Sequence, residues 1–183
     1  MEIQYRNPSD MDNISSSGDV LVLTGDCKKY GKDFFQKCSE MYKQTYIVMG
    51  NEDYYDGVDV NETLDAYRHQ VYDNVTFLNN ASIVIDEDEL FFSTLWKCKD
   101  DRNDLYDEEW VDDYYNICCN GGNLSIDKED QVHSVCVEWM YSALFESTAK
   151  RKIVVTHYDA SRDKVLMHFA KLLGAETFYF HAA

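Results

Sequence analysis

A single proline in 183 residues leaves no room for a proline-rich linker. Positive charge is scarce as well. Only 17 Lys and Arg stand against 34 Asp and Glu, for a formal net charge of −17 and a pI of about 4.5. Phosphate contacts need Lys and Arg, so nucleic-acid binding is not expected, nor attachment to an anionic membrane surface. No apolar run is long enough to cross a bilayer. Met1-Glu2-Ile3-Gln4 has neither a basic start nor an apolar core, so no secretory leader is expected and the location expected is cytoplasmic. The Asn-x-Ser/Thr triplets at Asn13 and Asn74 then carry no expectation of a glycan. Six cysteines form no C-x-x-C pair, which argues against a zinc knuckle or a redox motif and for free thiols. Cys118-Cys119 is the pair to watch for oxidation. There is no internal repeat.

What is present argues for a folded chain. The hydrophobic share is 45% and the aromatic share 14%, and the length suits one domain spanning 1–183. The segment Asp19-Val20-Leu21-Val22-Leu23-Thr24-Gly25-Asp26 is the most informative. Its Val and Leu run reads as a buried, parallel strand. Glycine lets the backbone turn tightly at the strand's end and leaves a carboxylate at its carboxyl edge. Open α/β sheets bind ligands at that edge. The pattern recurs. Tyr46-Ile47-Val48-Met49 runs into Gly50-Asn51-Glu52-Asp53, and Ile153-Val154-Val155 runs into Thr156-His157-Tyr158-Asp159. Three strands therefore deliver Asp26, Asn51 and His157 at their exits. Asp and Asn oxygens suit hard divalent cations, and imidazole suits Mn, Fe or Zn.

These segments resemble the calcineurin-like metallophosphoesterases. That family's pattern is Asp-x-His, Gly-Asp, Gly-Asn-His-Glu/Asp, a strand ending in His, then Gly-His-x-His. Here Gly25-Asp26, Gly50-Asn51 and Thr156-His157 match, and the resemblance extends over nearly the whole chain, through Asn74–Asn80, Leu90–Trp96 and Leu124–Trp139. It implies a sandwich of two β-sheets flanked by helices, shortened at the C-terminus. It also implies a dinuclear site of Mn, Mg, Fe or Zn, with the ions roughly 3.5–4 Å apart and clamping phosphoryl oxygens. By that resemblance Asp26 bridges both ions, Asn51 and His157 serve the second, and Asp10 and Asp12 serve the first.

The departures from the pattern bear on function. Glu52 stands where the family has a catalytic histidine. Ser9-Asp10-Met11-Asp12 is the candidate for the first motif, with Asp12 in place of His. An anionic ligand there favours a harder ion such as Mg or Mn. The last motif is missing: the chain ends Phe178-Tyr179-Phe180-His181-Ala182-Ala183. His181 is then a vestigial ligand or a frayed end. Glu52 could act as general acid only with a pKa raised far above the usual carboxylate range.

Strand and helix patterns alternate, which is the mark of α/β. Strands are expected over 1–5, 75–78, 83–85, 90–94 and 177–180, and helices over 33–45, 62–72, 128–148 and 162–173, with a hairpin turning across Asp86–Glu89. His69, His133 and His168 fall within the helices and are expected to be surface or half-buried. Residues 99–123 read as an acidic insertion or loop. Its acids, Asp100 through Asp113, interleave with Tyr106, Trp110, Tyr114 and Tyr115. Such a stretch is either solvated or a docking surface for a protein partner.

Two functional readings stay open. One is a non-catalytic descendant with an incomplete metal site, weak or absent phosphoester hydrolysis, and a role as a binding or structural subunit. The other is an active phosphomonoesterase or phosphodiesterase with an altered ligand set, acting on a small phosphoester. A third expectation is that the sequence is cut short and the absent histidines come from elsewhere.

Overall fold

The computed structural model describes residues 3–6, 18–55, 59–62, 72–98 and 112–179. Its strands are β1 (Ile3–Arg6), β2 (Val20–Leu23), β3 (Gln44–Val48), β4 (Val75–Leu78), β5 (Ala81–Ile85), β6 (Asp88–Ser93), β7 (Cys118–Cys119), β8 (Gly122–Asn123), β9 (Arg151–Thr156) and β10 (Ala175–Tyr179). Its helices are α1 (Gly31–Met41), α2 (Asp113–Asn116), α3 (Ile126–Glu146) and α4 (Lys164–Leu172). The first sheet has the order β1-β2-β3-β4 and is parallel throughout. The second has the order β10-β9-β6-β5. There β10, β9 and β6 run parallel, and β5 is the antiparallel arm of a hairpin.

Side-chain alternation along each strand sorts the core into layers. Val20 and Val22 of β2 face Leu90, Phe92, Ile153 and Val155 of the other sheet, in one apolar layer between the two sheets. Leu21 and Leu23 point the opposite way, into a second cluster that also takes Phe35 and Cys38 of α1. Phe91 and Val154 belong to the same cluster, together with Cys136, Met140 and Leu144 of α3. Both sheets are therefore covered on both faces, which is why β2 and β9 read as continuous apolar runs. The fold is the expected two-sheet α/β sandwich with helices outside.

Helix ends differ from the periodicity reading for local reasons. The helix expected over 33–45 stops at Met41, because Tyr42 turns extended and Gln44 already pairs in β3. The one expected over 128–148 starts earlier, at Ile126, where the Ser125 hydroxyl accepts from the Lys128 amide. The last helix begins at Lys164, after a 3₁₀ turn (Ala160–Arg162), because Asp163 caps it by accepting from the Leu166 amide at 2.8 Å. The helix expected over 62–72 lies almost wholly outside the described residues, as does 99–111 of the acidic insertion.

The remainder of that insertion is not a solvated loop. It forms α2 and the β7–β8 hairpin, and it buries Asp113 and Tyr114, leaving Tyr115 exposed. His133 is also buried, against the expectation for it. Its Nδ1 lies 2.5 Å from the Trp96 carbonyl and its Nε2 3.6 Å from Asp163 Oδ2. Burial alone would lower the His133 pKa, but its bonds to Asp163 and Trp96 outweigh that and raise it. The bond from His133 in turn lowers Asp163. A raised histidine stabilises fully below its unfolded value, about 6.5, and the benefit is lost as pH climbs through the folded value. Asp163 adds stability above about 3.8 that is lost as pH falls through its lowered value. The melting temperature should therefore fall between pH 6 and pH 8. Asp163→Asn, which keeps the cap oxygen, should flatten that slope; an unchanged slope would contradict the pairing.

Candidate metal site

The carboxyl ends of β2, β3 and β9 meet at one edge, where the two sheets touch. Thr94, just past β6, donates its hydroxyl to the Met49 carbonyl at 2.8 Å and so ties the sheets together there. Gly25 makes the close approach that the site needs. Its φ is +103°, and a Cβ on it would lie 2.5 Å from His157 Nδ1 and 2.8 Å from Gly50 Cα. Asp26 follows with φ +56°, a left-handed backbone that turns its side chain back over Gly50.

Asp26, Asn51 and His157 converge. His157 Nε2 lies 2.9 Å from Asn51 Oδ1 and 3.7 Å from Asp26 Oδ1. His157 Nδ1 lies 2.7 Å from the Thr24 carbonyl, which can only accept, so Nδ1 carries the proton. In the neutral ring Nε2 then presents a lone pair. The Asn51 amide is oriented as well, because its Nδ2 donates to Asp113 Oδ1 at 2.8 Å. One lone pair and two oxygen acceptors therefore lie together where Asp26 is 8% and His157 3% exposed. Such a set is balanced by a proton on Nε2 or by a cation. Donors sharing one ion at about 2.0–2.2 Å stand roughly 3 Å apart, which these separations match. Two hard oxygens and an imidazole fit Mn, Fe, Zn or Mg. Among the described residues no group of three or more His, Cys, Asp or Glu converges, because one member of this trio is an amide.

A buried scaffold holds the trio. Asp53, fully buried, takes the amides of Asp26 and Gly50 on Oδ2, each at 2.9 Å, and the Lys28 amide on Oδ1 at 2.8 Å. One carboxylate thus clamps both loops. Burial pushes its pKa up to about 6 against those backbone bonds. Burial likewise raises Asp26, with His157 and the Glu52 amide opposing. Asp113 gathers Asn51, the Tyr55 hydroxyl at 2.7 Å and the Tyr158 hydroxyl at 3.5 Å. Neither Asp53 nor Asp113 was assigned a role from sequence. Asp53 had a visible signal: it occupies the acidic position of the Gly-Asn-x-Asp pattern.

Glu52 lies beside the site. Its amide donates to Asp26 Oδ1 at 3.1 Å, and its carboxylate, 39% exposed, pairs with Lys29 Nζ at 2.8 Å. Asp10, Asp12 and His181 lie outside the described residues.

No family model matches the chain. It is 23% identical over 163 residues to an uncharacterized protein of Acanthamoeba polyphaga mimivirus, in an alignment covering 84% of this chain and 57% of that protein. The chain thus spans a little over half the length of the curated relative it matches. The phosphopantetheinyl hydrolase of Mycobacterium tuberculosis superimposes with a TM-score of 0.64 at 10% identity, covering 96% of this chain and 75% of that one. At that identity the likeness speaks for the fold alone, a two-sheet α/β sandwich.

Proposed function

We propose that the chain is a diverged metallophosphoesterase of the calcineurin-like type, which holds one divalent cation on Asp26, Asn51 and His157 and hydrolyses a small phosphoester. The observation that supports this is the convergence of His157 Nε2 on Asn51 Oδ1 at 2.9 Å and Asp26 Oδ1 at 3.7 Å, with Nδ1 held 2.7 Å from the Thr24 carbonyl. A cation held there would supply Lewis acidity to a phosphoryl oxygen. The chain's own residues do the positioning. Thr24 sets the ring tautomer, Asp113 sets the Asn51 amide, and the Glu52 amide with the Asp53 clamp sets Asp26.

The second reading, a non-catalytic binding or structural subunit, is favoured by Glu52. It replaces the pattern's histidine, and its carboxylate pairs with Lys29 Nζ at 2.8 Å. Partner docking through the acidic, aromatic stretch belongs to this reading; Tyr115 is exposed at its described end.

Purification without chelator, metal analysis and assays of generic phosphomonoesters and phosphodiesters with added Mn separate the two. The proposal expects bound metal, and turnover that Asp26→Ala and Asn51→Ala each reduce at least about 100-fold. A folded chain with neither metal nor turnover, co-purifying with another protein, would instead establish the subunit.

A further inference from the structure

Two short turns meet beside the trio, and each carries a charged side chain. One is the 3₁₀ turn Lys28–Tyr30, which begins just after Asp26 and Cys27. The other is Glu52–Tyr54, which begins directly after Asn51. They are clasped together. Asp53 Oδ1 takes the Lys28 amide at 2.8 Å, Lys28 Nζ donates to the Tyr55 carbonyl at 2.6 Å, and Lys29 Nζ donates to Glu52 Oε2 at 2.8 Å. The ammonium of Lys28 is thus committed to the backbone. That of Lys29 stays at the surface: its side chain is 49% exposed, and Glu52 engages one of its three donors. The Tyr30 ring flanks it, with the centroid 5.8 Å from Nζ.

This ammonium stands at the trio's open side. Asp26 and His157 are buried, whereas Asn51 and Glu52 are half-buried, so the trio meets solvent where Glu52 lies. Glu52 spans the gap. Its amide donates to Asp26 Oδ1 at 3.1 Å while its carboxylate holds Lys29. The charges of Asp26 and Lys29 are within electrostatic reach of each other. Burial raises the Asp26 pKa, and the Lys29 ammonium is among the groups that oppose it; the bond to Glu52 raises the Lys29 pKa, and Asp26 adds to that. A phosphoryl group on a cation at the trio needs donors for the oxygens the cation leaves free. Cationic donors are scarce in a chain of net charge −17, and a tethered lysine meets the need. Glu52 offsets the charge of Lys29 at a distance, so the lysine serves as an oriented donor at contact and not as a long-range attractor. The residue that replaces the pattern's histidine thereby brings a cation with it.

We infer that Lys29, held by Glu52, is the residue that binds a phosphoryl oxygen of the substrate beside the cation. This rests on the phosphoester reading above, and two titrations keep the claims apart. Calorimetry with Mn alone reads the cation site. Titration of the Mn-loaded protein with methylphosphonate, which a phosphoesterase cannot hydrolyse, reads the phosphoryl position. Lys29→Met keeps the stem and removes the ammonium, and Lys29→Arg restores a charged donor. Lys150→Ala is the control: it removes the same charge from an exposed ion pair, with Glu87, at the opposite end of β9 from His157. Lys29→Met should weaken methylphosphonate binding at least about tenfold, and Lys29→Arg should recover most of that. The Mn affinity of Lys29→Met should hold or rise, because a positive neighbour of Asp26 is gone. Lys150→Ala should change neither affinity. A Lys29→Met protein that keeps the parent's methylphosphonate affinity overturns the inference and leaves the phosphoester reading standing. Equal losses in Lys29→Met and Lys150→Ala overturn it too, since net charge alone would then be at work. Mn and methylphosphonate affinities that fall together in Lys29→Met overturn it in favour of an ion pair that merely braces the two turns. A parent that binds Mn without methylphosphonate, or binds neither, removes the phosphoester reading itself and the role of Lys29 with it.

Discussion

Asp53→Ala should lower the melting temperature by about 10–15 °C and weaken Mn binding by at least about tenfold, although Asp53 is not one of the proposed ligands. The reason is the number of groups that depend on it. Three backbone amides, those of Asp26, Lys28 and Gly50, end on its two oxygens, and the side chain is fully buried. Water cannot readily replace it. Each buried N–H left without an acceptor costs about 1–3 kcal/mol. Relief from burying a carboxylate, whose pKa stands raised at about 6, offsets part of that. A net loss of about 3–5 kcal/mol remains, in the range of broken buried networks. For a chain of this length each 1 kcal/mol corresponds to about 2–4 °C. Asp53→Asn keeps one acceptor oxygen for the pair of amides on Oδ2 and presents an NH₂ to the Lys28 amide. It should recover roughly half the loss. Thermal melts and Mn titrations of the three proteins test this. A shift below about 2 °C for Asp53→Ala would mean that the Gly25-Asp26 and Gly50-Asn51 loops are held by something else.

The trio was legible in the sequence because each of its members lies within three residues of the end of a buried strand. A strand buried on both faces is a run of Val, Ile and Leu, and the short turn after it is bound to emerge at the sheet edge. Local pattern therefore located Asp26, Asn51 and His157. Parallel pairing of β2 with β3 and of β6 with β9 then brought the exits together. The supports were harder to see. Asn51 and Asp113 are 62 positions apart, and no periodicity links them. Asp113 also stands in a dense acidic run, where a buried carboxylate looks the same as a solvated one. Composition describes the run and not the burial of one member. The β7–β8 hairpin could have been read. Its turn is Asn120-Gly121, with φ of +52° and +71°, the conformation that an Asn-Gly pair prefers between short strands. The strands it joins have two residues each, too short for alternation to register.

Gly50→Ala should abolish the cation site, and it tests most directly whether the close approach of the two loops is what makes that site. A methyl group at position 50 would fall on Asp26 Oδ1 itself, 2.5 Å from the Asp26 amide nitrogen and 2.9 Å from His157 Cε1. None of these neighbours can yield cheaply. The Asp26 backbone is committed to a left-handed φ of +56°, and its amide is bonded to Asp53. The His157 ring is pinned through Nδ1 to the Thr24 carbonyl. Relief therefore requires separation of the Gly25-Asp26 and Gly50-Asn51 loops, which pulls Asp26 away from Asn51 and His157. Overpacking of this kind costs about 1–3 kcal/mol in stability, and more where backbone is the obstacle. The larger effect falls on the ion: Mn affinity should drop at least about 100-fold, since two of three ligands shift together. Gly122→Ala is the matched control, because its new Cβ meets only Lys128 Nζ, at 3.3 Å, the end of a flexible side chain. That variant should stay within about 0.5 kcal/mol of the parent and bind Mn normally. Calorimetric titration of both variants decides the matter. A Gly50→Ala protein that keeps the parent's Mn affinity would mean that the ion is not held where Asp26, Asn51 and His157 converge.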